Sequence, residues 1–182
     1  MKNLEEKQIS RENIFAGKVL SVVRDTVELP NGKSATREFC LHVGAVCVLA
    51  LLDNGEVLME RQYRYPHGRV FFEIPAGKLN YAGEDPLEAA KRELREETGA
   101  IAEKYTFLGS MVPTPAIVCE KTEMYLAENI TFTERELDED EFLEVTKIPL
   151  DTLVKMVMDG EIKDAKTQIA ILKAEKYLKE GH

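Results

Sequence analysis

The sequence has few of the residues that several common kinds of site require. It contains no tryptophan, three cysteines and three histidines among 182 residues. The cysteines (Cys40, Cys47 and Cys119) show no C-x-x-C spacing, which argues against a disulfide framework and a thiolate zinc site. Three histidines do not make a histidine-rich metal site, and there is no G-x-S-x-G segment of a serine hydrolase. Carboxylates are therefore the side chains best suited to carry chemistry.

Long apolar runs and basic clusters are also missing. The longest apolar run covers residues 45–52, far short of the roughly 20 residues that span a bilayer. Because the first residues are charged and lack the apolar stretch of a signal peptide, we expect a cytoplasmic protein without membrane contact. The 24 basic and 33 acidic residues give a net charge of −9, which argues against nucleic acid as a partner. An acidic protein can still act on a phosphate substrate when a divalent cation separates the negative charges.

The apolar pattern predicts one mixed sheet with helices packed on it. Asn31-Gly32 marks a hairpin among the strands of residues 14–42, and the run 45–52 predicts a strand buried on both faces. In other segments the apolar residues recur at the spacing of a strand or of a helix. Further strands are expected at 57–63, 70–74, 107–112, 122–127 and 142–148, and helices at 85–98, 150–158 and 165–178.

The helix predicted at 85–98 carries three carboxylates on one face. Glu93 and Glu97 are four residues apart, and Glu96 is three residues from Glu93. Like charges at this spacing disfavour a helix, and near its C-terminal end the macrodipole opposes them as well. A solvated charged face is the ordinary reading of such a pattern. A bound hard cation, Mg²⁺ or Mn²⁺, is the functional reading, since such ions prefer oxygen ligands.

Residues 77–100 resemble the Nudix box, the signature of Nudix hydrolases. The box begins at Gly77, continues with the isolated Glu84 and ends in Arg92-Glu93-Leu94-Arg95-Glu96-Glu97-Thr98-Gly99-Ala100. Six residues separate Gly77 from Glu84 where five are usual, so the loop before the helix is one residue longer. The resemblance implies an α+β fold, an α/β/α sandwich with a mixed β-sheet between helices. It also implies an N-terminal antiparallel β-sheet that can swap between the subunits of a dimer.

Outside the box, the chain resembles ADP-ribose pyrophosphatases over nearly its whole length. The matching segments are 37–38, 44–46, 62–64, 73–77 and 114–120, the last with Thr114 in place of Ser and Ala116 in place of Gly. The resemblance implies an N-terminal strand region (1–42) for dimerisation and substrate enclosure, followed by a Nudix hydrolase domain (43–182). It further implies Mg²⁺-dependent hydrolysis of ADP-ribose to AMP and ribose 5-phosphate by a homodimer, with Mn²⁺ as a substitute.

The same resemblance assigns roles to individual residues. Catalytic roles fall on Glu139 as general base and on Glu96, Glu97 and Arg92. The metal ligands would be the Ala76 carbonyl, Glu93, Glu96, Glu97 and Glu141. Substrate contacts would come from Lys18, Val19, Arg37, Glu38, Arg64, Glu73, Lys78, Thr114, Pro115, Ala116 and Glu120. With no tryptophan present, any stacking on a base would use Phe or Tyr.

Three alternatives remain beside ADP-ribose hydrolysis. The first is a broader nucleoside-diphosphate-sugar hydrolase, acting for example on ADP-glucose, because pocket shape is not fixed by these motifs. The second is a non-catalytic nucleotide sensor, which the intact set of Glu93, Glu96 and Glu97 disfavours. The third is a nucleoside-triphosphate hydrolase, which the residues outside the box disfavour.

Overall fold

The chain divides into two units in the computed structural model, which describes residues 3–137 and 142–181. One unit comprises Met1–Val43 and Val112–Glu120, and the other comprises Gly44–Met111 and Lys121–His182. Glu139 and Glu141, the predicted base and a predicted metal ligand, lie outside the described residues. No helix in the described part of the chain is both long and apolar enough to span a bilayer.

The first unit is built on a three-stranded antiparallel sheet. Its strands are β1 (Lys7–Ala16), β2 (Ser21–Glu28) and β3 (Ser34–Leu41), in that order. The hairpin predicted at Asn31-Gly32 joins β2 to β3, with Gly32 at φ 78° donating its amide to the Leu29 carbonyl at 2.8 Å. The antiparallel N-terminal sheet is thus confirmed, although its first strand begins at Lys7 instead of near Ile14.

The second unit contains two sheets. The central one has the order β7 (Ala76–Lys78), β4 (Ala45–Ala50), β9 (Thr122–Phe132) and β8 (Ala100–Met111). It is mixed, because β4 runs parallel to β9 while the other neighbours are antiparallel. The other sheet has the antiparallel order β10 (Leu143–Pro149), β5 (Glu56–Arg64) and β6 (Arg69–Glu73).

Helices cover both faces of the central sheet. Val46 and Val48 of β4 pack in one core cluster with Leu94 of α1 (Pro86–Thr98). Leu49 points to the other face, where Ile171 of α3 (Ala165–Glu180) and residues of α2 (Leu150–Met158) form the second cluster. The α/β/α arrangement is therefore confirmed. The strand predicted at 45–52 is shorter than expected: it is β4, Ala45–Ala50, and it is buried on both faces from Val46 onward.

Two parts of the sheet differ from the sequence prediction. Strands β8 and β9 pair over most of their length from Ala100 opposite Phe132 to Met111 opposite Thr122, so both extend well beyond the apolar segments that predicted them. The sequence predicts no strand at 76–78, because the strand predicted at 70–74 ends at Pro75 and Gly77, which are poor strand formers. The backbone of β7 nevertheless pairs with β4, Cys47 opposite Ala76, and this pairing brings Gly77 next to α1.

Candidate active site

Helix α1 is well specified at both ends. Asp85 caps its N-terminus, accepting from the Leu87 amide at 2.8 Å, and Pro86 occupies the first turn. Gly99 ends it in the left-handed region at φ 71° and donates its amide to the Arg95 carbonyl at 2.8 Å. Since the buried side chains Ala89, Ala90 and Leu94 fix the face that meets the sheet, the carboxylate-bearing face is fixed too.

The three carboxylates of α1 share one cavity of about 280 Å³. Glu97 is only 5% exposed, and the side chains of Glu93 and Glu96 are 13% and 31% exposed. These groups are therefore not a solvated charged face. The cavity is lined by Ala76, Gly77, Lys78, Asn80, Arg92, Glu93, Glu96, Glu97 and Glu136.

Arg92 binds the carboxylates around it. Its Nη1 donates to Glu93 Oε1 at 2.7 Å and to Glu96 Oε2 at 3.3 Å, and its Nη2 lies 3.6 Å from Glu84 Oε1. Burial alone would lower the pKa of this guanidinium, but the neighbouring carboxylates outweigh that effect and raise it. Glu84 also accepts the Asn80 amide at 2.5 Å, so it links the loop before α1 to the helix.

Strand β7 approaches the same carboxylates through its backbone. The Ala76 amide donates to Glu97 Oε2 at 3.0 Å. A Cβ atom at Gly77 would lie 1.9 Å from Glu93 Cδ, so no larger residue fits there without moving Glu93. The glycine that begins the box is required by this close approach of backbone and carboxylate, not by an unusual φ angle.

The donor set fits a hard divalent cation. Four carboxylates and two cationic side chains line the cavity, which leaves an excess of two negative charges. Carboxylate oxygens are the ligands that Mg²⁺ and Mn²⁺ prefer. Within residues 3–137 and 142–181, no three Asp, Glu, His or Cys side chains are already gathered as a metal site. Arg92 binds one oxygen each of Glu93 and Glu96, and the Ala76 amide binds Glu97.

Two further predicted residues, Arg64 and Glu73, lie together beside a second cavity of about 280 Å³. Arg64 donates to both oxygens of buried Glu73, at 2.7 and 2.9 Å, and Lys166 pairs with the same carboxylate. Burial raises the pKa of Glu73, but Arg64 and Lys166 outweigh it, so the pKa lies below its usual value. This cavity is lined by Arg64, Pro66, His67, Phe71, Glu73, Asp164 and Lys166.

The first unit contains several of the predicted substrate-contacting residues. Arg37 pairs with Glu6 through two hydrogen bonds, at 2.9 and 2.5 Å, and Glu38 accepts from Arg24 at 2.8 Å. Lys18 and Val19 lie in the connection between β1 and β2, where Val19 is 74% exposed. The remaining members, Thr114, Pro115, Ala116 and Glu120, are in the segment that joins this unit from later in the chain.

Ala116 stands where the resembling pyrophosphatases have Gly, and the backbone of the 114–120 segment is nevertheless in an ordinary conformation. The Thr114 carbonyl accepts the amides of Ile117 and Val118, both at 3.0 Å, which makes a compact turn. Asn129 is the one non-glycine residue with positive φ in the described part of the chain, so Ala116 does not need glycine's conformational freedom.

Sequence reasoning missed several residues of these sites. Asn80 and Glu136 line the carboxylate cavity, and Lys166 binds Glu73. Asp164 and Thr167 anchor α3 beside β6, and their D-x-x-T spacing at a helix start was a usable signal. Glu136 reaches the cavity through main-chain pairing, its amide donating to the Glu96 carbonyl at 3.1 Å, and the sequence carries no mark of that contact.

Comparison with known proteins agrees with this geometry. The family described as NUDIX domain matches residues 41–169, and the one described as nucleoside diphosphate sugar hydrolase N-terminal domain matches residues 6–39. The chain is 48% identical to a Bacillus subtilis protein named ADP-ribose pyrophosphatase, over 94% of this chain and 93% of that protein. It is 41% identical to a Bacillus methanolicus protein named methanol dehydrogenase activator, over 93% and 92%.

A solved structure shows the same fold. The crystal structure of an ADP compounds hydrolase superimposes with a TM-score of 0.87, covering 99% of this chain and 98% of the other at 24% identity. The family model covers most of the chain, and the Bacillus subtilis relative has high identity to it. The residues that resemble the Nudix box line the carboxylate cavity. The chain belongs to the Nudix family and is a Nudix hydrolase.

Proposed function

We propose that this protein hydrolyses the pyrophosphate bond of ADP-ribose in an Mg²⁺-dependent reaction that yields AMP and ribose 5-phosphate. The observation that carries the proposal is the shared cavity of Glu93, Glu96 and Glu97, which is acidic and backed by β7. The identity to the Bacillus subtilis ADP-ribose pyrophosphatase supports the choice of substrate.

In this proposal the chain's carboxylates hold the cation. Glu93, Glu96 and Glu97 would be ligands together with the Ala76 carbonyl and Glu141. Mg²⁺, when bound, neutralises phosphate oxygens and lowers the pKa of a bound water. Arg92 keeps Glu93 and Glu96 oriented through the hydrogen bonds described above. The Ala76 amide does the same for Glu97.

A general base must take the proton from the attacking water, and we assign this role to Glu139. The assignment rests on its place in the acidic 134–141 segment, whose described part already reaches the cavity at Glu136. Glu139→Gln should lower kcat by about 100-fold, within the range that a general base contributes, and change KM much less. Steady-state kinetics on ADP-ribose measure both constants. An unchanged kcat would transfer the role to Glu141 or Glu120.

The proposal keeps the substrate contacts that the resemblance implies. Arg64 and Arg37 would contact the diphosphate or terminal ribose, since guanidinium groups bind phosphate oxygens in pairs. Glu38, Glu73, Lys78 and Glu120 would orient the sugars. Lys18, Val19 and the 114–116 segment would help to enclose the nucleotide.

A broader specificity is the second candidate. The match of residues 6–39 to a nucleoside diphosphate sugar hydrolase domain favours it, because that description names no single sugar. The non-catalytic alternative is less well supported, since all three box carboxylates are present and share one cavity. The relative named methanol dehydrogenase activator is the reason to keep that alternative in the assay.

A substrate panel tests the proposal. ADP-ribose, ADP-glucose, NADH and diadenosine polyphosphates are each incubated with Mg²⁺, and AMP release is followed, with EDTA as the control. The highest kcat/KM is expected for ADP-ribose. Comparable values for ADP-glucose would establish the broader enzyme, and no release from any compound would leave the binding-only alternative.

The proposal also includes a cytoplasmic homodimer formed through the N-terminal strands. Its support is the exposed apolar surface of β1, where Ile9, Ile14 and Phe15 are each at least 44% exposed. Light scattering after size-exclusion chromatography gives the mass directly. A monomer at the protein concentration of the kinetic assay would contradict this part.

A further inference from the structure

The backbone segment that enters the carboxylate cavity is held from both sides by helices. Ile74, directly after β6, donates its amide to Thr167 Oγ1 of α3 at 3.0 Å. Two residues later, Ala76 donates its amide to Glu97 Oε2 of α1 at 3.0 Å. The position of Ala76 relative to Glu97 therefore depends on where α3 places Ile74.

The Thr167 hydroxyl is itself oriented. Asp164, the N-cap of α3, accepts the Thr167 amide at 2.9 Å and the Thr167 hydroxyl at 2.6 Å. Because the hydroxyl gives its single hydrogen to Asp164, its lone pairs are left for the Ile74 amide. Thr167 has no exposed surface, so bulk water does not compete for this hydrogen bond.

Ion pairs of Lys166 add to the hydrogen bond between Thr167 and Ile74. Lys166 pairs with Asp164 at 3.0 Å and with the buried carboxylate of Glu73, which immediately precedes Ile74. The first turn of α3 thus binds two consecutive residues, Glu73 at the end of β6 and Ile74 directly after it. Buried charge and buried hydrogen bonds of this kind are costly to break, so the segment is held in one place.

We propose that Thr167 is a positioning residue of the active site, acting through Ile74 and Ala76 on Glu97. This proposal rests on the proposed function for the identity of the reaction. The positioning of Glu97 is tested separately, by the affinity of the site for a cation. A purely structural Thr167 would affect only the stability of the fold. A positioning Thr167 also changes cation affinity and kcat at temperatures where the variant is fully folded.

The test compares three variants with the parent. Thr167→Val keeps the shape but removes the hydroxyl, and Thr167→Ser restores it. Ile171→Val removes one methylene from the buried face of the same helix one turn further on and leaves the hydrogen bond between Thr167 and Ile74 in place. Mn²⁺ affinity is measured by EPR titration of the protein with the metal alone, and kcat and KM by AMP release from ADP-ribose. Melting temperatures set the working temperature.

Thr167→Val is expected to weaken Mn²⁺ binding and lower kcat by about tenfold each, as the loss of a group that supports a metal ligand does. KM should change less, Thr167→Ser should stay near the parent, and Ile171→Val should lose only melting temperature. Parent-like affinity and kcat in Thr167→Val would overturn the proposal, as would equal losses in Ile171→Val.

The readouts separate this proposal from the proposed function. If the parent releases no AMP from ADP-ribose, the proposed function fails and the Mn²⁺ affinity of Thr167→Val alone decides the positioning role. If Thr167→Val does not fold, Thr167→Ala, which removes the hydroxyl and leaves space, is measured in its place with the same expected losses.

Discussion

At the scale of single residues, the site depends on a few short contacts between backbone and carboxylate. Gly77 lets β7 pass against Glu93, the Ala76 amide binds Glu97, and Arg92 binds Glu93 and Glu96. The motif predicted which residue types would be present. It did not predict that Arg92 would bind both Glu93 and Glu96, because that depends on side-chain conformation.

Gly77→Ala should displace Glu93, because the added Cβ would lie 1.9 Å from its Cδ. We expect kcat for AMP release to fall by about 10- to 100-fold, the loss typical of disturbing a ligand's support, with little change in melting temperature. Glu93→Asp shortens the carboxylate, so Gly77→Ala should cost less in that background. Equal losses in both backgrounds would contradict the steric explanation.

At the scale of elements, the ends of α1 were the most predictable feature and the sheet edges the least. Asp85, Pro86 and Gly99 each have a strong local preference for their positions, and α1 begins and ends as predicted. The short β7 has no such local signal. It forms because β4 offers a free edge, and the extension of β8 and β9 arises from mutual pairing.

Asp85→Ala removes the N-cap of α1 and should lower the free energy of unfolding by about 1 kcal/mol. Asp85→Asn, which keeps a side-chain acceptor for the Leu87 amide, is the matched control and should lose much less. Urea unfolding followed by circular dichroism measures both. Equal losses would mean that the charge of Asp85, not its capping bond, stabilises the helix.

At the scale of the whole molecule, α3 links the end of the chain to its middle. Lys166 and Thr167 contact Glu73 and Ile74, 93 positions earlier. The sequence predicted the helix, but no local pattern tells which strand a helix start will meet. That contact depends on the order of strands in the sheets, which sequence periodicity does not determine.

The ion pairs of Glu73 should make stability depend on pH. Its folded-state pKa lies below the usual 4.5, so its stabilising effect is present above about pH 4.5 and is lost as the pH falls through the lowered value. Near pH 7, Glu73→Gln should cost about 3 kcal/mol, as breaking a buried ion pair does. Urea unfolding of parent and variant should show this gap narrowing as the pH falls below 4.5. A gap that widened on acidification would contradict the lowered pKa.

The most direct test of the account is the rate of AMP release from ADP-ribose with Mg²⁺ by Glu97→Gln. The amide oxygen can still accept from Ala76, so the fold should persist while the charged ligand is lost. We expect a loss of about 100-fold or more with an unchanged melting temperature. Glu88→Gln, on the exposed side of the same helix where Glu88 pairs with Lys91, should keep the parent rate. A parent-like rate in Glu97→Gln would contradict the assignment of the α1 carboxylates to cation binding.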